Sequence, residues 1–310
     1  MRRVAASPGR PHAATAQRGP TPAAAIEPIK RAPARPGDTA AAPAEAIDAV
    51  RPAAATTATA HAEGVRVSKL MTERGLASRR EADEWIEAGW VRVDGRVAVL
   101  GQRAQPAVRI EIDPRARAEQ AQRLTVLLHK PIGYVSGQPE DGYRSAAELV
   151  RAESRWADDR SHVALRLGPG GLRGLAPAGR LDIDSTGLLV LTQDGRIARQ
   201  LIGEDSSVEK EYLVRVRSRQ AAGLPERELA RLRHGLTLDG VPLKPARVSW
   251  ANEDQLRFVL REGRKRQIRR MCELVGLEVL ALKRVRIGSV VLGKLPLGCW
   301  RLLGAHERFA

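Results

Sequence analysis

Gly179-Arg180-Leu181-Asp182-Ile183-Asp184-Ser185-Thr186-Gly187-Leu188-Leu189-Val190-Leu191-Thr192-Gln193-Asp194-Gly195 sets charged residues directly before an apolar, strand-like run, and the stretch holds no His, Cys or Glu. A carboxylate held beside apolar surface without a metal-ligand set points to covalent or acid/base work. Gly187 to Leu191 reads as a buried strand and Asp194-Gly195 as the turn that ends it. Asp184, two residues beyond Asp182, is expected on the same strand face. The two carboxylates therefore also admit a divalent-metal reading, that of a magnesium-dependent phosphotransferase. No phosphate-cradling glycine loop accompanies them, so that reading stays secondary.

Outward from this stretch, composition narrows the function classes. A chain of 310 residues has room for two domains, and a formal net charge of +16 points to a polyanionic partner. Nucleic acid is the first expectation. No apolar run approaches the roughly 18 residues that a membrane span needs. Cys272 and Cys299 lie in no metal-binding or disulfide spacing. No apolar segment follows Met1-Arg2-Arg3, so the expected location is a reducing cytoplasm and no metal or cofactor is called for.

The chain divides by texture. Residues 1–63 hold about half of the prolines, are dominated by alanine and lack Phe, Trp, Tyr and Cys, the signature of a disordered tail. From residue 64 to 113 the signals are compact. Val67, Leu70 and Met71 make one apolar face, with Gly75 placed to stop the helix. Ser78 and Glu81 form a capping box before Ala82, Trp85 and Ile86, and Gly89 ends that helix. Val91-Arg92-Val93 and Val97-Ala98-Val99 flank the turn Asp94-Gly95-Arg96. Residues 114–122 read as a polar linker. Residues 123–305 continue with strand-like runs and short helices, an α+β domain with a largely antiparallel sheet. Within it, Glu153 to Ala178 reads as a mobile loop or insertion.

The two-helix and hairpin unit resembles the αL RNA-binding domain found in a small-subunit ribosomal protein and in tyrosyl-tRNA synthetases. By that likeness Arg66, Lys69, Arg74, Arg79 and Arg80 line one RNA-facing surface, the last two beside helix N–H groups that favour phosphate. The Gly179–Gly195 stretch resembles the catalytic motif of the pseudouridine synthases that modify ribosomal RNA, which carry the same αL unit. Two further segments agree in order: Lys210-Glu211-Tyr212-Leu213-Val214, and Arg261 to Gly276 with its Arg-Gln-Ile-Arg-Arg core. Ile268, Met271, Cys272 and Val275 there fall at helical spacing, which leaves basic residues on the other faces.

The resemblance implies a role for each residue. Asp182 is the catalytic carboxylate, acting as nucleophile or by assisting ionisation. Tyr212 stacks on the uracil and serves proton transfer. Arg269 pairs with Asp182 and holds it ionised. Arg180 fills the space left by a flipped nucleotide or holds its phosphate, while Arg264, Lys265, Arg266 and Arg270 contact RNA. Lys283 to Gly288 and Leu295 to Trp300 contribute a pocket wall and RNA contacts, with Trp300 in the core and neither cysteine catalytic. Within the RsuA/RluB/RluE/RluF group the motifs look most like the RluF type, whose substrates are large-subunit ribosomal RNA and also transfer RNA, with RluB-like and small-subunit RsuA-like readings open. Implied partners are ribosomal RNA, transfer RNA or pre-ribosomal particles, with no membrane and a monomer sufficient. The alternative from another class is a noncatalytic RNA-binding or ribosome-assembly factor.

Overall fold

A computed structural model describes residues 64–159, 161, 172, 174–219 and 223–310. The expected tail lies outside them, as does most of the middle of the Glu153–Ala178 stretch.

The amino-terminal unit forms where the sequence punctuates it. Helix α1 (Val67–Glu73) buries Val67, Leu70 and Met71, and Gly75 comes next with φ +70°. Helix α2 (Arg79–Glu87) starts on the expected capping box. Ser78 accepts from the Glu81 N–H at 3.4 Å, while the Glu81 carboxylate accepts from the Ser78 N–H at 3.0 Å. Strands β1 (Val91–Val93) and β2 (Arg96–Val97) are joined by Asp94 and Gly95, both with positive φ, and β3 (Ile110–Ile112) pairs on the other side of β1. Two positive-φ residues between antiparallel strands make a hairpin turn that matches strand twist.

Residues 114–121 differ from the expected polar linker: they form helix α3 (Pro114–Ala121), with Asp113 capping it and Pro114 at its first turn. Pro at that position has a preset φ and no N–H to waste. Gln120 then donates to Leu76 O at 3.1 Å and to the Glu81 carboxylate at 2.9 Å. The fully buried Glu81 also pairs with Arg123 at 3.3 Å, and Arg123 donates to Gln193 O at 3.1 Å. A buried carboxylate with three kinds of partner ties the amino-terminal unit to the larger sheet domain.

Among the described residues that larger domain is built on a nine-stranded, mostly antiparallel sheet. Its main strands are β4 (Thr125–Lys130), β5 (Thr186–Thr192), β6 (Lys210–Ser218), β7 (Arg247–Asn252), β8 (Gln255–Leu260), β9 (Leu277–Ile287) and β10 (Trp300–Leu302). They lie in the order β7-β8-β6-β9-β5-β4-β10, with Ala176–Pro177 added to β5 and Val290–Val291 to β9. The α+β expectation holds. Strands β4 and β5 are buried on both faces, which is why they read as continuous apolar runs rather than alternating ones.

One face is covered by α4 (Gly195–Ile202) with Phe309, the other by Trp300, Leu181 and Val150. Asp194-Gly195 is therefore a helix start rather than a turn, the Asp194 side chain accepting from the Arg196 N–H at 2.9 Å. Gly195 sits against the amino-terminal unit, since a Cβ there would lie 2.3 Å from Ser78 Cβ. Helices α5 (Glu226–Arg233) and α6 (Gln267–Leu274) pack on the β6–β8 half, and α6 buries Ile268, Met271 and Cys272 as its spacing foretells.

The described beginning of the expected loop or insertion is docked on the core instead. Trp156 N–H donates to Trp300 O at 2.8 Å, and the Arg155 guanidinium lies 5.7 Å from the Trp300 ring. Trp300, fully buried, supplies the apolar floor that fixes it.

Candidate active site

Asp182 lies in the loop that enters β5, and the loop is held by its carbonyls. Arg284 donates to Arg180 O at 3.2 Å, Ser136 to Leu181 O at 2.8 Å, and Lys130 to Asp182 O at 3.1 Å. Gly133 N–H donates to Ile183 O at 3.0 Å, Arg269 to Asp184 O at 3.0 Å, and Lys130 again to Ser185 O at 3.0 Å. Six consecutive carbonyls are thus engaged, most of them by cations. The Asp182–Ser185 segment is a tight turn, with Ser185 N–H on Asp182 O at 3.1 Å, and not the start of a strand. Asp182 and Asp184 consequently do not share a strand face.

The Asp182 carboxyl is about one-third exposed (33%), and its ion partner is Arg266 at 3.9 Å. The expected Asp182–Arg269 pair is not formed. Arg269 instead meets Asp184 at 3.1 Å and Arg266 meets the same carboxylate at 3.1 Å. The backbone explains the exchange: Arg266 takes φ +52° at the cap of α6, which turns its side chain back over the turn, while Arg269, one helical turn on, reaches beneath it. Arg266, expected only as an RNA contact, is therefore the cation next to Asp182. Among the described residues no group of three or more His, Cys, Asp or Glu side chains stands where it would hold a metal ion.

Tyr212 is half-buried on β6, opposite Arg284 of β9, whose guanidinium lies 6.0 Å from the ring. Arg284 exists as a buried side chain because β5 and β9 run parallel for only two residue pairs, Thr186 with Lys283 and Gly187 with Arg284. Where the strands part, Arg284 Nε donates to Leu188 O at 2.7 Å and stands in for the missing ladder. Gly187 permits the approach: with φ +113°, its Cβ would lie 2.2 Å from Arg284 O. One guanidinium thus links the tyrosine to the loop that carries Asp182. Arg284 Nη2 and Arg269 Nε are buried and carry no hydrogen bond among the described residues, which leaves two cationic donors in the site.

Lys130 is the other residue not anticipated. Its side chain is fully buried, donates to Pro131, Asp182 and Ser185 carbonyls, and has its pKa lowered from 10.5 to about 8 by burial, against the pull of Asp182 and Asp184. A lysine closing an otherwise apolar run just before a proline was the available signal. Arg180 points outward, 83% exposed, with Glu140 at 3.9 Å. Arg270 is turned from the site onto Asp239 at 2.6 Å, and Arg264 onto Glu262 at 3.6 Å, while Lys265 is exposed. Arg66, Lys69, Arg74, Arg79 and Arg80 are all exposed on the amino-terminal unit, with Arg74 donating to Pro106 O at 2.6 Å. Cys272 is buried and its thiol is pushed up to about 12 by burial.

This geometry has known relatives. Residues 124–274 match the family model described as RNA pseudouridylate synthase, and residues 65–110 match the S4 domain. The chain is 35% identical over 249 residues to the dual-specificity RNA pseudouridine synthase RluF of Escherichia coli (strain K12), covering 78% of this chain and 77% of that one. The chain belongs to the RNA pseudouridylate synthase family. As a pseudouridine synthase it is also 32% identical over 250 residues to ribosomal large subunit pseudouridine synthase B of Bacillus subtilis (strain 168), covering 78% of this chain and 93% of that relative. A crystal structure of a pseudouridylate synthase superposes with a TM-score of 0.51 at 25% identity, covering 77% of this chain and 96% of that one. The enzyme is an isomerase with an amino-terminal S4 domain.

Proposed function

We propose that this pseudouridine synthase acts on a specific uridine of large-subunit ribosomal RNA, with transfer RNA as a second substrate class, and that Asp182 is its catalytic carboxylate. The observation that carries the assignment is the clamped loop. Six engaged carbonyls fix the backbone on either side of a carboxylate whose own oxygens accept no hydrogen bond from the described residues and so stay available to a substrate. Such preorganisation is what positioning catalysis needs.

In the proposed reaction the bond between C1′ and N1 breaks as Asp182 attacks C1′ or stabilises its positive charge. The uracil turns against the Tyr212 ring and a C1′–C5 bond forms. The C5 proton leaves and N1 ends protonated, so atoms balance without an external reagent. Tyr212 offers an aromatic face to the base and Arg284 the charge beneath it. Arg269 is a positioning residue for the turn, and Arg266 supplies positive charge near Asp182. Arg180 and Lys265, both exposed, take phosphates around the cleft, whereas Arg264 and Arg270 are engaged by Glu262 and Asp239. Arg66, Lys69, Arg74, Arg79 and Arg80 do so on the S4 domain, as is common for exposed basic side chains facing RNA.

The proposed domain limits are 64–113 for the S4 unit and 123–305 for the catalytic domain, with 1–63 as a tail and 114–122 as the helical joint. The proposed setting is the cytoplasm, as a monomer, on free RNA or an assembling particle. Mapping pseudouridines in ribosomal and transfer RNA from cells with and without the protein tests the target. Loss of one large-subunit site is the expected result; an unaltered map in both RNAs refutes it.

A further inference from the structure

The register of the sheet sorts charge by face. Tyr212 stands opposite Phe258 on one neighbour and Arg284 on the other, which defines the catalytic side. Side chains alternate along a strand and cross-strand partners share a face. A bulge leaves Val285 of β9 unpaired between Glu211 and Tyr212, so Arg286 and Arg284, though two residues apart, fall on opposite faces. Glu211 pairs with Arg286 and with Val259, and Val259 pairs with Arg247, so these residues, together with Glu209, Arg257 and Arg261, fall on the reverse side. The ion pairs agree. Glu209 meets Arg247 at 2.7 Å, Arg261 at 3.3 Å and Arg286 at 3.5 Å, while Glu211 meets Arg257 at 2.6 Å and Arg286 at 2.8 Å.

Four guanidinium groups share two carboxylates, which leaves an excess of two positive charges. The carboxylates fix the arginines in place without using all their donors, since each guanidinium has five N–H groups. Arg247 and Arg261 remain 63% and 61% exposed. Beside them runs a groove of about 550 Å³, whose lining includes Arg199, Asp205, Ser207, Glu209, Arg261 and Arg286. Arg199 and Asp205 of the lining offset each other. Arg199 also donates to the Thr72 carbonyl at the end of α1, which brings the groove to the edge of the S4 domain.

The chemistry of the lining selects the ligand. Arginines held in a fixed fork suit phosphate. Among the described residues the lining's one aromatic, Phe309, is buried in the core and offers no face to a base. Single strands are gripped by stacking on aromatic rings, whereas helical RNA is gripped through phosphate and shape. Glu209 lies three residues before Tyr212, so the groove and the candidate active site sit back to back at one end of the strands.

We infer that this groove is a second RNA-binding site, which takes the phosphodiester backbone of a helical arm of the substrate while the target uridine enters the opposite face. The inference rests on the reading of the protein as an RNA enzyme. It does not require Asp182 to be the catalytic group.

The test uses the full chain and an RNA duplex of about 16 base pairs. In Arg247→Ala/Arg261→Ala, affinity for the duplex is expected to fall about tenfold at physiological salt, and the slope of log K against log salt to become shallower by about 2, one for each phosphate no longer neutralised. Ser207→Asp leaves the ion-pair network intact, adds a negative charge to the groove, and is expected to weaken the same duplex, which keeps the test decisive if the double variant folds poorly. Wild-type affinity and slope in Ser207→Asp and in a folded double variant would overturn the proposal. Lost duplex affinity in the variants, with no pseudouridine formed even by the wild-type protein, would uphold the groove and sink the enzymatic assignment. Normal pseudouridine formation with unaltered duplex affinity would do the reverse.

Discussion

Replacing Lys130 by Met separates holding the loop from holding the fold. The ammonium donates to three carbonyls, those of Pro131 at 2.9 Å, Asp182 at 3.1 Å and Ser185 at 3.0 Å. Asp182 O keeps the Ser185 N–H, but the other two lose their donor. Two orphaned carbonyls, that of Ser185 buried and that of Pro131 half-buried, at about 1–3 kcal/mol each cost about 2–6 kcal/mol at most. Removing the ammonium also removes the cost of burying it. Its pKa falls from 10.5 to about 8. At 1.36 kcal/mol per pH unit that returns about 3.4 kcal/mol. The net change in stability then lies between a gain of about 1 and a loss of about 3 kcal/mol, a drop in Tm of no more than about 12 °C. The turn bearing Asp182 loses both the bonds at its ends, and a displacement of about 1 Å at a reacting group costs about a hundredfold in rate. Single-turnover release of the C5 hydrogen from labelled uridine in RNA measures that rate, with thermal melting alongside. A Lys130→Met enzyme that is folded and works within about threefold of wild type would refute the clamp.

Raising the pH through about 8 should slow the wild-type enzyme, because a neutral amine has too few donors for three carbonyls. Lys210, also lowered to about 8 by burial and by Arg284, titrates in the same range, so the deciding result is whether the alkaline fall disappears in Lys130→Met. The effect on stability has the opposite sign. Between about 8 and 10.5 the unfolded chain binds the Lys130 proton and the folded one does not, so this group's contribution to stability grows as pH rises through that window and is absent below it, as denaturant titrations at several pH values will show. Gly187→Ala forces a Cβ to within 2.2 Å of Arg284 O at φ +113° and should cost about 3 kcal/mol or more, read as a lower denaturation midpoint; an unchanged midpoint would contradict the close approach of β5 and β9. Cys272→Ala should retain the wild-type single-turnover rate, and the native thiol should resist alkylation at neutral pH, since its pKa is pushed up to about 12. Rapid inactivation by a thiol reagent at this position would oppose that.

The parts of the architecture written in short-range chemistry are legible in the chain itself. The capping box at Ser78, the Asp94-Gly95 turn and the i, i+3, i+4 spacing of α6 each depend on residues a few positions apart. The apolar runs of β4 and β5 likewise announce strands buried on both faces. What escaped depends on residues distant in sequence. Pairing Arg269 with Asp184 and Arg266 with Asp182 results from a left-handed cap at Arg266, which no residue type there advertises. Arg284 becomes a site residue because β5 and β9 diverge beside Gly187, a property of two strands about a hundred positions apart. Residues 114–121 looked like a linker because their apolar contribution is slight; the helix is held by a cap, a proline and one glutamine reaching Glu81. Asp194-Gly195 carries the composition of a turn and of a helix start alike, and only the packing of α4 against the S4 domain separates them.

In the proposed mechanism the Asp182 carboxylate performs the chemistry at the end of a loop held rigid by other residues. Asp182→Asn keeps the shape of the side chain and removes its charge and nucleophilicity. Incubated with large-subunit ribosomal RNA, purified wild-type protein is expected to form pseudouridine and Asp182→Asn to form none, while both bind the RNA equally. Pseudouridine made by the variant at the wild-type rate would contradict a catalytic role for Asp182.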